Sequence, residues 1–380
     1  MIQDQSQLLF ELGIILLTAT ALALCCMPIA MHMAHRFGIV DKPNNARKTH
    51  ARITPYLGGV AIFVAFLVAT LVFVQLTRET LVILVGAMIM MITGALDDKF
   101  DLSPKLRLLV HFSCALLVTW GGVSIAGIAN PLSGEYIPLG MLSWPLSILW
   151  IMGISNAINW IDGLDGLSAG TTVIICATLI IIAWQEGNAQ GMLMLAALAG
   201  ASMGYLYYNF YPAKVFMGDA GAMFIGFVLG CLSIQGTMKN ATFAAVAAPV
   251  IALGLPLFDT AVVMFRRILA GKSPMSADRT HAHHRLFDNG FSQKQTVLWL
   301  YAISICFGLA AISITSAHGR VVAFVVGVFG ILMFIYAHRL ESKRVITRQT
   351  RDMTEELESL RATKDFTDEL QSDDASKWPK

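Results

Sequence analysis

The sequence predicts an all-α polytopic integral membrane protein. Of its 380 residues, 56% are hydrophobic and only 14% are charged, whereas about a quarter of the residues in soluble domains are charged. Apolar runs of about 20 residues, the length that spans a hydrocarbon layer of ~30 Å, recur along the whole chain. The six cysteines lie inside such runs without metal-binding spacing, so we interpret them as small buried side chains.

About eleven segments have the length and apolarity of transmembrane helices. Their predicted limits are 8–31, 57–76, 80–96, 107–126, 142–158, 167–184, 191–210, 218–236, 241–264, 296–315 and 320–338. The polar stretch over 131–140 predicts a short turn or hairpin.

The positions of the basic residues predict which loops face the cytoplasm. All 27 Lys and Arg residues except Arg78, Lys239 and Arg320 fall in the loops of one face or in the C-terminal tail. The positive-inside rule makes that face cytoplasmic, so we expect a periplasmic N-terminus and a cytoplasmic C-terminus. We expect a transmembrane domain over 1–340 with its functional loops on this face. A polar tail over 341–380 should follow, partly helical and then disordered.

Five polar clusters fall on the predicted cytoplasmic face. They are DKPNNARKTHARITPYLGG (41–59), GALDDKFDLSPKLRLLVHF (94–112), NAINWIDGLDGLSAG (156–170), NFYPAKVFMGDAGAMFIG (209–226) and RRILAGKSPMSADRTHAHHR (266–285).

Aspartates recur in these clusters, as Asp97, Asp98, Asp162, Asp165 and Asp219. Helix capping explains any one of them taken singly, but five acids on one face of a membrane protein indicate a bound cation. Asp219 stands where an apolar helix begins. Free N–H groups there favour phosphate, and a carboxylate beside bound phosphate suits Mg²⁺. Because adjacent helix residues point about 100° apart, we expect Asp97 and Asp98 to have different roles.

The third cluster places an amide and two acids at a spacing of three. Asn159, Asp162 and Asp165 would share one helical face if the helix continued through them. Gly163 and Gly166 would permit a turn and a close approach of ligand to the backbone. Taken alone, the stretch is typical of a metal site built from paired aspartates.

Basic side chains complement the acids and suit a pyrophosphate or a lipid phosphate. They are Lys105, Arg107, Arg266, Arg267, Arg279 and Arg285. Positive-inside topology and lipid headgroup contacts are the alternative for Arg266 and Arg267.

The HAHH box contributes His281, His283 and His284. Zinc binding is disfavoured because no cysteine lies nearby and no carboxylate has the zincin spacing, so we interpret the histidines as donors to phosphate oxygens. Asp259, inside the ninth segment, is expected to pair with Arg266 or to make another internal polar contact, with a functional role as the alternative.

Four of these motifs, in this order and on one face, resemble the polyprenyl-phosphate N-acetylhexosamine-1-phosphate transferases (glycosyltransferase family 4). They are LDDKFDLSPKLRLL, NAINWIDGLDGLSAG, KVFMGDAGAMFIG and ADRTHAHHR. The HAHH box and the preceding Asp-Arg look most like the bacterial undecaprenyl-phosphate GlcNAc-1-phosphate transferases. The His-rich box of the related cell-wall translocase is usually followed by Phe-Glu, where this chain has Arg285-Leu286.

The resemblance implies transfer of GlcNAc-1-phosphate from UDP-GlcNAc to undecaprenyl phosphate, with release of UMP. It implies a Mg²⁺ cofactor, with Mn²⁺ as the alternative, and an active site facing the cytoplasm from the bacterial inner membrane. The corresponding pathway step would be the first membrane step of glycan assembly for lipopolysaccharide O-antigen or enterobacterial common antigen. The expected partners are the two substrates and the lipid bilayer, without nucleic acid, and a homodimer is left open.

The resemblance also implies roles for individual residues. Asp219 matches the metal-binding aspartate, and Asp97 and Asp98 match the pair that deprotonates the lipid phosphate. The implied nucleotide-sugar residues are Asn159, Asp162, Asp165 and Phe216, the last stacking on uracil. The implied phosphate-binding residues are Lys105, Arg107, Arg279, His281, His283 and His284. The family often has lysine at the place of Arg107, which puts a need for a compact ammonium in doubt.

The sequence leaves three alternative functions open. A sibling transferase would use UDP-MurNAc-pentapeptide, UDP-GalNAc or a diamino sugar as the donor. A secondary transporter would place its carboxylates near the membrane midplane, in broken helices of repeated halves, and neither feature is visible in the sequence. An inactive membrane scaffold would not need an acid in every motif.

Overall fold

The computed structural model describes residues 2–41, 53–129, 135–237, 243–269, 271, 281–315 and 319–339. Of these residues 82% are helical, which confirms the predicted all-α class. Arg279 and the predicted tail over 341–380 lie outside the described residues.

The described residues form thirteen α-helices. In chain order these are α1 Ile2–Phe37, α2 Gly58–Phe73, α3 Arg78–Phe100, α4 Pro104–Trp120, α5 Ser143–Ile161, α6 Leu167–Gln185, α7 Ala189–Asn209, α8 Gly218–Thr237, α9 Phe243–Ala252, α10 Gly254–Leu269, α11 Ala282–Asp288, α12 Gln293–Ile314 and α13 Arg320–Arg339.

Two short antiparallel strand pairs connect helices, and a 3₁₀ turn over Gly140–Leu142 leads into α5. Strand β1 Val40–Asp41 pairs with β2 Thr54–Pro55, with Val40 opposite Pro55. Strand β3 Gly127–Ala129 pairs with β4 Tyr136–Pro138. The second pair confirms the hairpin predicted around 131–140.

The helices have the dimensions of a multi-pass membrane protein. Seven of those described are long and apolar enough to cross a membrane, namely α1, α3, α5, α6, α7, α8 and α12. The bent pair α9 and α10 would be an eighth span if it is counted as one. Helix α2 and the segment Val321–Ala337 of α13 are shorter apolar helices. The count of eleven spans and the orientation of the termini stay predictions.

The ninth predicted span is wrong as a continuous helix. The structure bends it by 74° between Ala252 and Gly254. Pro256 has no N–H to donate to the carbonyl of Ala252, and its ring crowds that carbonyl, which favours a break in the helix at this point. The bend turns α10 towards α12, where Gly254 lies against the ring of Phe307.

Helix α8 is the centre of the bundle and is almost wholly buried. Glycines let its neighbours come close: a Cβ on Gly59 of α2 would lie 2.1 Å from the Gly221 nitrogen. A Cβ on Gly94 of α3 would lie 2.3 Å from the Asp219 carbonyl oxygen. Small residues allow such backbone approach between membrane helices. The end of α3 is therefore fixed beside the first residues of α8.

Candidate active site

A cavity of ≈ 380 Å³ opens where α3 and α5 end and α8 begins. The sequence-predicted residues that line it are Asp98, Asn159, Asp162, Asp165, Phe216, Asp219 and His284. They come from four of the five polar clusters, and Asp41 and Tyr56 of the remaining cluster line it as well. The fold thus gathers clusters that are far apart in sequence around one polar chamber.

Asp98 holds the N-terminus of α8. Its Oδ1 accepts a hydrogen bond from the Asp219 N–H at 2.8 Å, and its Oδ2 accepts one from the Ala220 N–H at 3.2 Å. The first N–H groups of a helix have no partner within the helix, so a carboxylate is a favourable acceptor for them. Gly218 makes the contact possible, because its φ is +70° and an added Cβ would lie 2.3 Å from Asp98 Oδ2.

Asp97 makes different contacts, as expected for adjacent positions on a helix. Its carboxylate is buried, with Oδ1 accepting from the Leu102 N–H at 2.7 Å and Oδ2 from Arg107 Nη1 at 2.8 Å. Ser103 caps α4 by accepting the Leu106 N–H, and this turn brings Arg107 back to the end of α3. Asp97 is not among the residues that line the cavity.

Asp219 lies between an amide and a guanidinium. Its Oδ1 accepts a hydrogen bond from Asn159 Nδ2 at 2.7 Å, and its Oδ2 is 3.8 Å from Arg107 Nη1. Arg107 therefore bridges Asp97 and Asp219. The fixed carboxylate faces the cavity at the positive end of α8, where a group carrying phosphate would also be favoured.

The condition for a helical face shared by Asn159, Asp162 and Asp165, a helix that continues through all three, is not met. Helix α5 ends at Ile161, and the two acids lie in the turn before α6. Asp165 Oδ2 accepts the Ala213 N–H at 3.0 Å, which ties this turn to the segment after α7.

The turn predicted at the two glycines is present, and the approach of a ligand to its backbone stays a prediction. Gly166 has a φ of +81°, and a Cβ on Gly163 would lie 2.3 Å from His283 Nε2. The turn is therefore held by close approach of the backbone to α11.

Asp162 is an acid whose charge is poorly compensated among the described residues. It is partly exposed to the cavity, yet enough protein surrounds its carboxyl group to desolvate it. Burial, followed by the negative charges of Asp219, Asp98 and Asp165, raises its pKa to about 7. A cation in the cavity would relieve this repulsion.

Phe216 and Tyr56 form an aromatic side of the cavity, with ring centroids 5.9 Å apart. Backbone hydrogen bonds fix them: the Phe216 N–H donates to Pro55 O at 2.9 Å and its carbonyl accepts from Gly58 N–H at 3.1 Å. Tyr56 also hydrogen-bonds Asp41, and burial with the nearby acids raises its pKa above the usual tyrosine value. The phenol is therefore a neutral donor beside the acids.

The three histidines of the HAHH box have different surroundings. His284 lines the cavity, while His283 is buried against Gly163. His281 is buried and its Nδ1 lies 2.6 Å from Oδ2 of Asp259. Asp259 therefore makes an internal polar contact, which is one of the two expectations from sequence.

Two further predicted phosphate-binding residues, Lys105 and Arg107, lie on α4 and do not line the cavity. Lys105 is exposed on the first turn of α4 and is not among the cavity-lining residues. Arg107 reaches the site through Asp219.

Sequence reasoning did not single out several residues that line the cavity. They include Asp41, Tyr56, Asn209, Phe287 and Gln293. Asn209 is structural as well, because its Oδ1 accepts the Gly166 N–H and its Nδ2 donates to Val215 O, both at 2.8 Å. Its position just before a Phe-Tyr-Pro stretch, at the predicted end of a helix, was the available signal.

The fold and the site define an integral membrane protein with an acidic, aromatic-walled chamber at one end of its helix bundle. Comparison with known proteins identifies the family to which the chain belongs. A family model described as Glycosyl transferase family 4 matches residues 80–237, which include Asp98, Asn159, Asp162 and Asp219.

Named relatives support the same assignment over most of the chain. A probable undecaprenyl-phosphate N-acetylglucosaminyl 1-phosphate transferase of Bacillus subtilis is 40% identical over 314 residues, 82% of this chain and 87% of that protein. A decaprenyl-phosphate N-acetylglucosaminephosphotransferase of Mycolicibacterium smegmatis is 34% identical, covering 79% of this chain and 82% of that one. An undecaprenyl-phosphate alpha-N-acetylglucosaminyl 1-phosphate transferase of Yersinia pestis is 30% identical, covering 70% and 74%. The chain belongs to glycosyl transferase family 4.

Proposed function

We propose that the protein transfers GlcNAc-1-phosphate from UDP-GlcNAc to undecaprenyl phosphate, giving undecaprenyl-diphosphate-GlcNAc and UMP. The names of the relatives supply the acceptor and the sugar. The observation that carries the proposal is the placement of Asp219. It stands at the N-terminus of a buried helix, held by Asn159 and Asp98, and it faces a cavity with an aromatic wall.

The donor fits the cavity by its chemistry. The rings of Phe216 and Tyr56 offer a stacking surface for a uracil base. His284 and the positive end of α8 offer hydrogen bonds and partial charge to a diphosphate. A uridine diphosphate bound this way would direct its sugar-bearing phosphorus towards Asp219.

The acids of the cavity fit a hard divalent cation. Carboxylate oxygens are the ligands that Mg²⁺ prefers. Burial, and after it the negative charges of Asp219, Asp98 and Asp165, raises the pKa of Asp162, and a cation would stabilise its charged form. Both oxygens of Asp98 already accept backbone N–H groups, so Asp219 and Asp162 would hold the ion. Bound Mg²⁺, or Mn²⁺ in its place, would neutralise the diphosphate and stabilise the charge that develops on transfer.

The side chains of this chain then act by positioning and charge, as is general for phosphoryl transfer. Arg107 holds Asp97 and approaches Asp219, so it adds positive charge where two phosphates must meet. Of the acid pair, Asp98 is the better candidate for taking the proton of the lipid phosphate, because it lines the cavity and Asp97 does not. Each Asp98 oxygen keeps a lone pair beside its backbone hydrogen bond, which suffices for a proton. Since a phosphate monoester has a second pKa near 6, this proton transfer is a small part of the barrier. A covalent aspartyl intermediate is the alternative course.

The proposed setting is the bacterial inner membrane with the cavity open to the cytoplasm. The distribution of Lys and Arg supports this orientation. Undecaprenyl phosphate would enter from the bilayer with its phosphate at that face. The product would serve as the first lipid-linked sugar of a surface glycan, of which O-antigen and enterobacterial common antigen are two examples.

The test is release of UMP by purified protein given undecaprenyl phosphate, Mg²⁺ and a panel of UDP-sugars. UMP formation with UDP-GlcNAc supports the proposal. No UMP with any donor would overturn the enzyme assignment, and turnover only with UDP-MurNAc-pentapeptide, UDP-GalNAc or a diamino sugar would overturn the sugar.

Two variants make the test specific to the site. Asp219→Asn should abolish turnover, and full activity there would refute the metal role. The matched control is Asp101→Asn, because Asp101 is exposed and its φ of 52° suits asparagine. It should retain turnover.

A further inference from the structure

Asp259 is a buried acid that the proposed reaction does not use directly. It lies in α10, is 3% exposed and is absent from the residues that line the cavity. Its two oxygens contact the start of α11: Oδ2 lies 2.6 Å from His281 Nδ1, and Oδ1 accepts the Ala282 N–H at 2.9 Å. A carboxylate with both oxygens committed to adjacent residues fixes the position and the direction of that segment.

Helix α11 depends on such an anchor. It has seven residues, and an isolated helix of that length is not stable in water. Ala282 and Leu286 are buried in an apolar cluster with α12 and α13, which holds one face of the helix. Apolar contacts are not directional, whereas the two hydrogen bonds to Asp259 fix where the helix begins.

The placement of α11 decides what faces the cavity. The helix brings His284 and Phe287 to the cavity wall. It also places His283 against Gly163, in the turn that carries Asp162 and Asp165. A displacement of α11 would move one wall of the cavity and release the turn that bears two of its acids.

His281 serves this anchor through its Nδ1. A carboxylate at 2.6 Å from Nδ1 requires a proton on that nitrogen, which fixes the tautomer and the plane of the ring. The ring lies edge-on to Trp160 and stacks with His283, with centroids 6.3 Å and 5.7 Å away. His281 is therefore packed on several sides by protein, and it is not among the residues that line the cavity.

We propose that Asp259 is a positioning residue for the donor site: through His281 Nδ1 and the Ala282 N–H it sets α11, and so His284, against the cavity. In this assignment His281 is an anchor and His284 is the member of the HAHH box that meets the diphosphate. The predicted effect on KM for UDP-GlcNAc rests on the proposed function, but the predicted position of α11 does not.

The first experiment measures hydrogen–deuterium exchange of the purified full-length protein by mass spectrometry. In Asp259→Ala, peptides covering 281–290 should exchange about tenfold faster or more, because the Ala282 amide loses its acceptor and α11 loses its start. Asp259→Asn should exchange less than Asp259→Ala, since its amide oxygen can still accept the Ala282 N–H. The Asp259→Asn variant also keeps the test decisive if Asp259→Ala does not fold. Peptides from α7 and the Asp101→Asn protein are the controls. Unchanged exchange over 281–290 in both Asp259 variants would overturn the proposal, whatever the outcome of the activity assay.

The second experiment compares His281→Asn with His281→Ala in the UMP assay. An asparagine amide nitrogen can take the place of Nδ1 as donor to Asp259, but it offers nothing in place of Nε2. His281→Ala should raise KM for UDP-GlcNAc about tenfold with a smaller change in kcat, and His281→Asn should recover most of that loss. His284→Ala should also raise KM, but with normal exchange over 281–290, because His284 is assigned a direct role and not an anchoring one. Equal impairment of both His281 variants, with normal exchange in His281→Asn, would show His281 to be a ligand and refute the anchor.

Discussion

Replacing Gly218 by alanine tests whether Asp98 sets the position of Asp219. The new Cβ would lie 2.3 Å from Asp98 Oδ2 and 2.8 Å from its Cγ, at a residue whose φ is +70°. Two costs then add. The left-handed backbone costs an alanine roughly 1–2 kcal/mol. Displacing Asp98 also loses two hydrogen bonds to a charged acceptor, each worth roughly 1.5–3 kcal/mol.

Gly187→Ala isolates the first cost. Gly187 has the same φ of +70°, but an added Cβ there would meet nothing within 4 Å. It lies between α6 and α7, away from the residues that line the cavity. The difference between the two alanine variants therefore measures the contact with Asp98.

The assay is thermal unfolding of the purified protein together with UMP release. For a chain of this length 1 kcal/mol corresponds to about 1 °C. We expect Tm to fall by about 1–2 °C in Gly187→Ala and by about 5 °C in Gly218→Ala. Gly187→Ala should retain turnover, whereas Gly218→Ala should lose roughly a hundredfold, since a shift of about 1 Å is enough for that loss. Equal Tm values and retained turnover in Gly218→Ala would refute the role given to Asp98.

Three further predictions concern the charges and rings of the site. Arg107→Gln should lower Tm and turnover more than Arg107→Lys. Loss of the charged partner of a buried carboxylate costs roughly 3–5 kcal/mol, whereas lysine still offers Asp97 a positive charge. Equal losses in the two variants would contradict this prediction. Below pH 7 a protonated Asp162, whose pKa is about 7, should weaken Mg²⁺ binding up to about tenfold per pH unit. Magnesium titrations of the EDTA-treated protein at pH 6 and pH 8 measure this, and a slope that survives in Asp162→Asn would assign it to another group. Tyr56→Ala should raise KM for UDP-GlcNAc about tenfold. Tyr56→Phe should raise it less, because phenylalanine keeps the ring that faces Phe216. Identical KM values in the two variants would exclude stacking.

The same shift at Asp162 has a consequence for stability without metal. The folded pKa of about 7 lies above the ordinary aspartate value near 3.9. The folded protein therefore binds this proton more tightly than the unfolded chain. The contribution of Asp162 to stability is fully present below about pH 4 and is lost as pH rises towards 7. Thermal unfolding in EDTA should be less dependent on pH across this range in Asp162→Asn than in the wild-type protein, and Mg²⁺ at pH 8 should restore stability to the wild-type protein.

The local features of the site could be predicted from the sequence, but the contacts between segments far apart in the chain could not. Asp219 could be predicted because a Gly-Asp pair directly before an apolar run is typical of a helix start. The cap on that helix comes from Asp98, 121 positions away, and no periodicity connects the two. Asp259 and His281 are likewise joined only by the packing of α10 against α11. The bend in the ninth span had a visible signal in Pro256, but apolar length outweighed it in the prediction.

The stretch containing Asn159, Asp162 and Asp165 shows why equal spacing misled. A spacing of three suggests a common face, yet the helix ends at Ile161 and each residue serves a different part of the fold. Asn159, still on the helix, donates to Asp219, and Asp165, in the turn, accepts from Ala213. Asp162 lies between them with its charge directed to the cavity. Because Asp165 is committed to the backbone and Asn159 to Asp219, a metal site of paired aspartates within this stretch is disfavoured. Asp162 together with Asp219 is the pair of acids that remains for a cation.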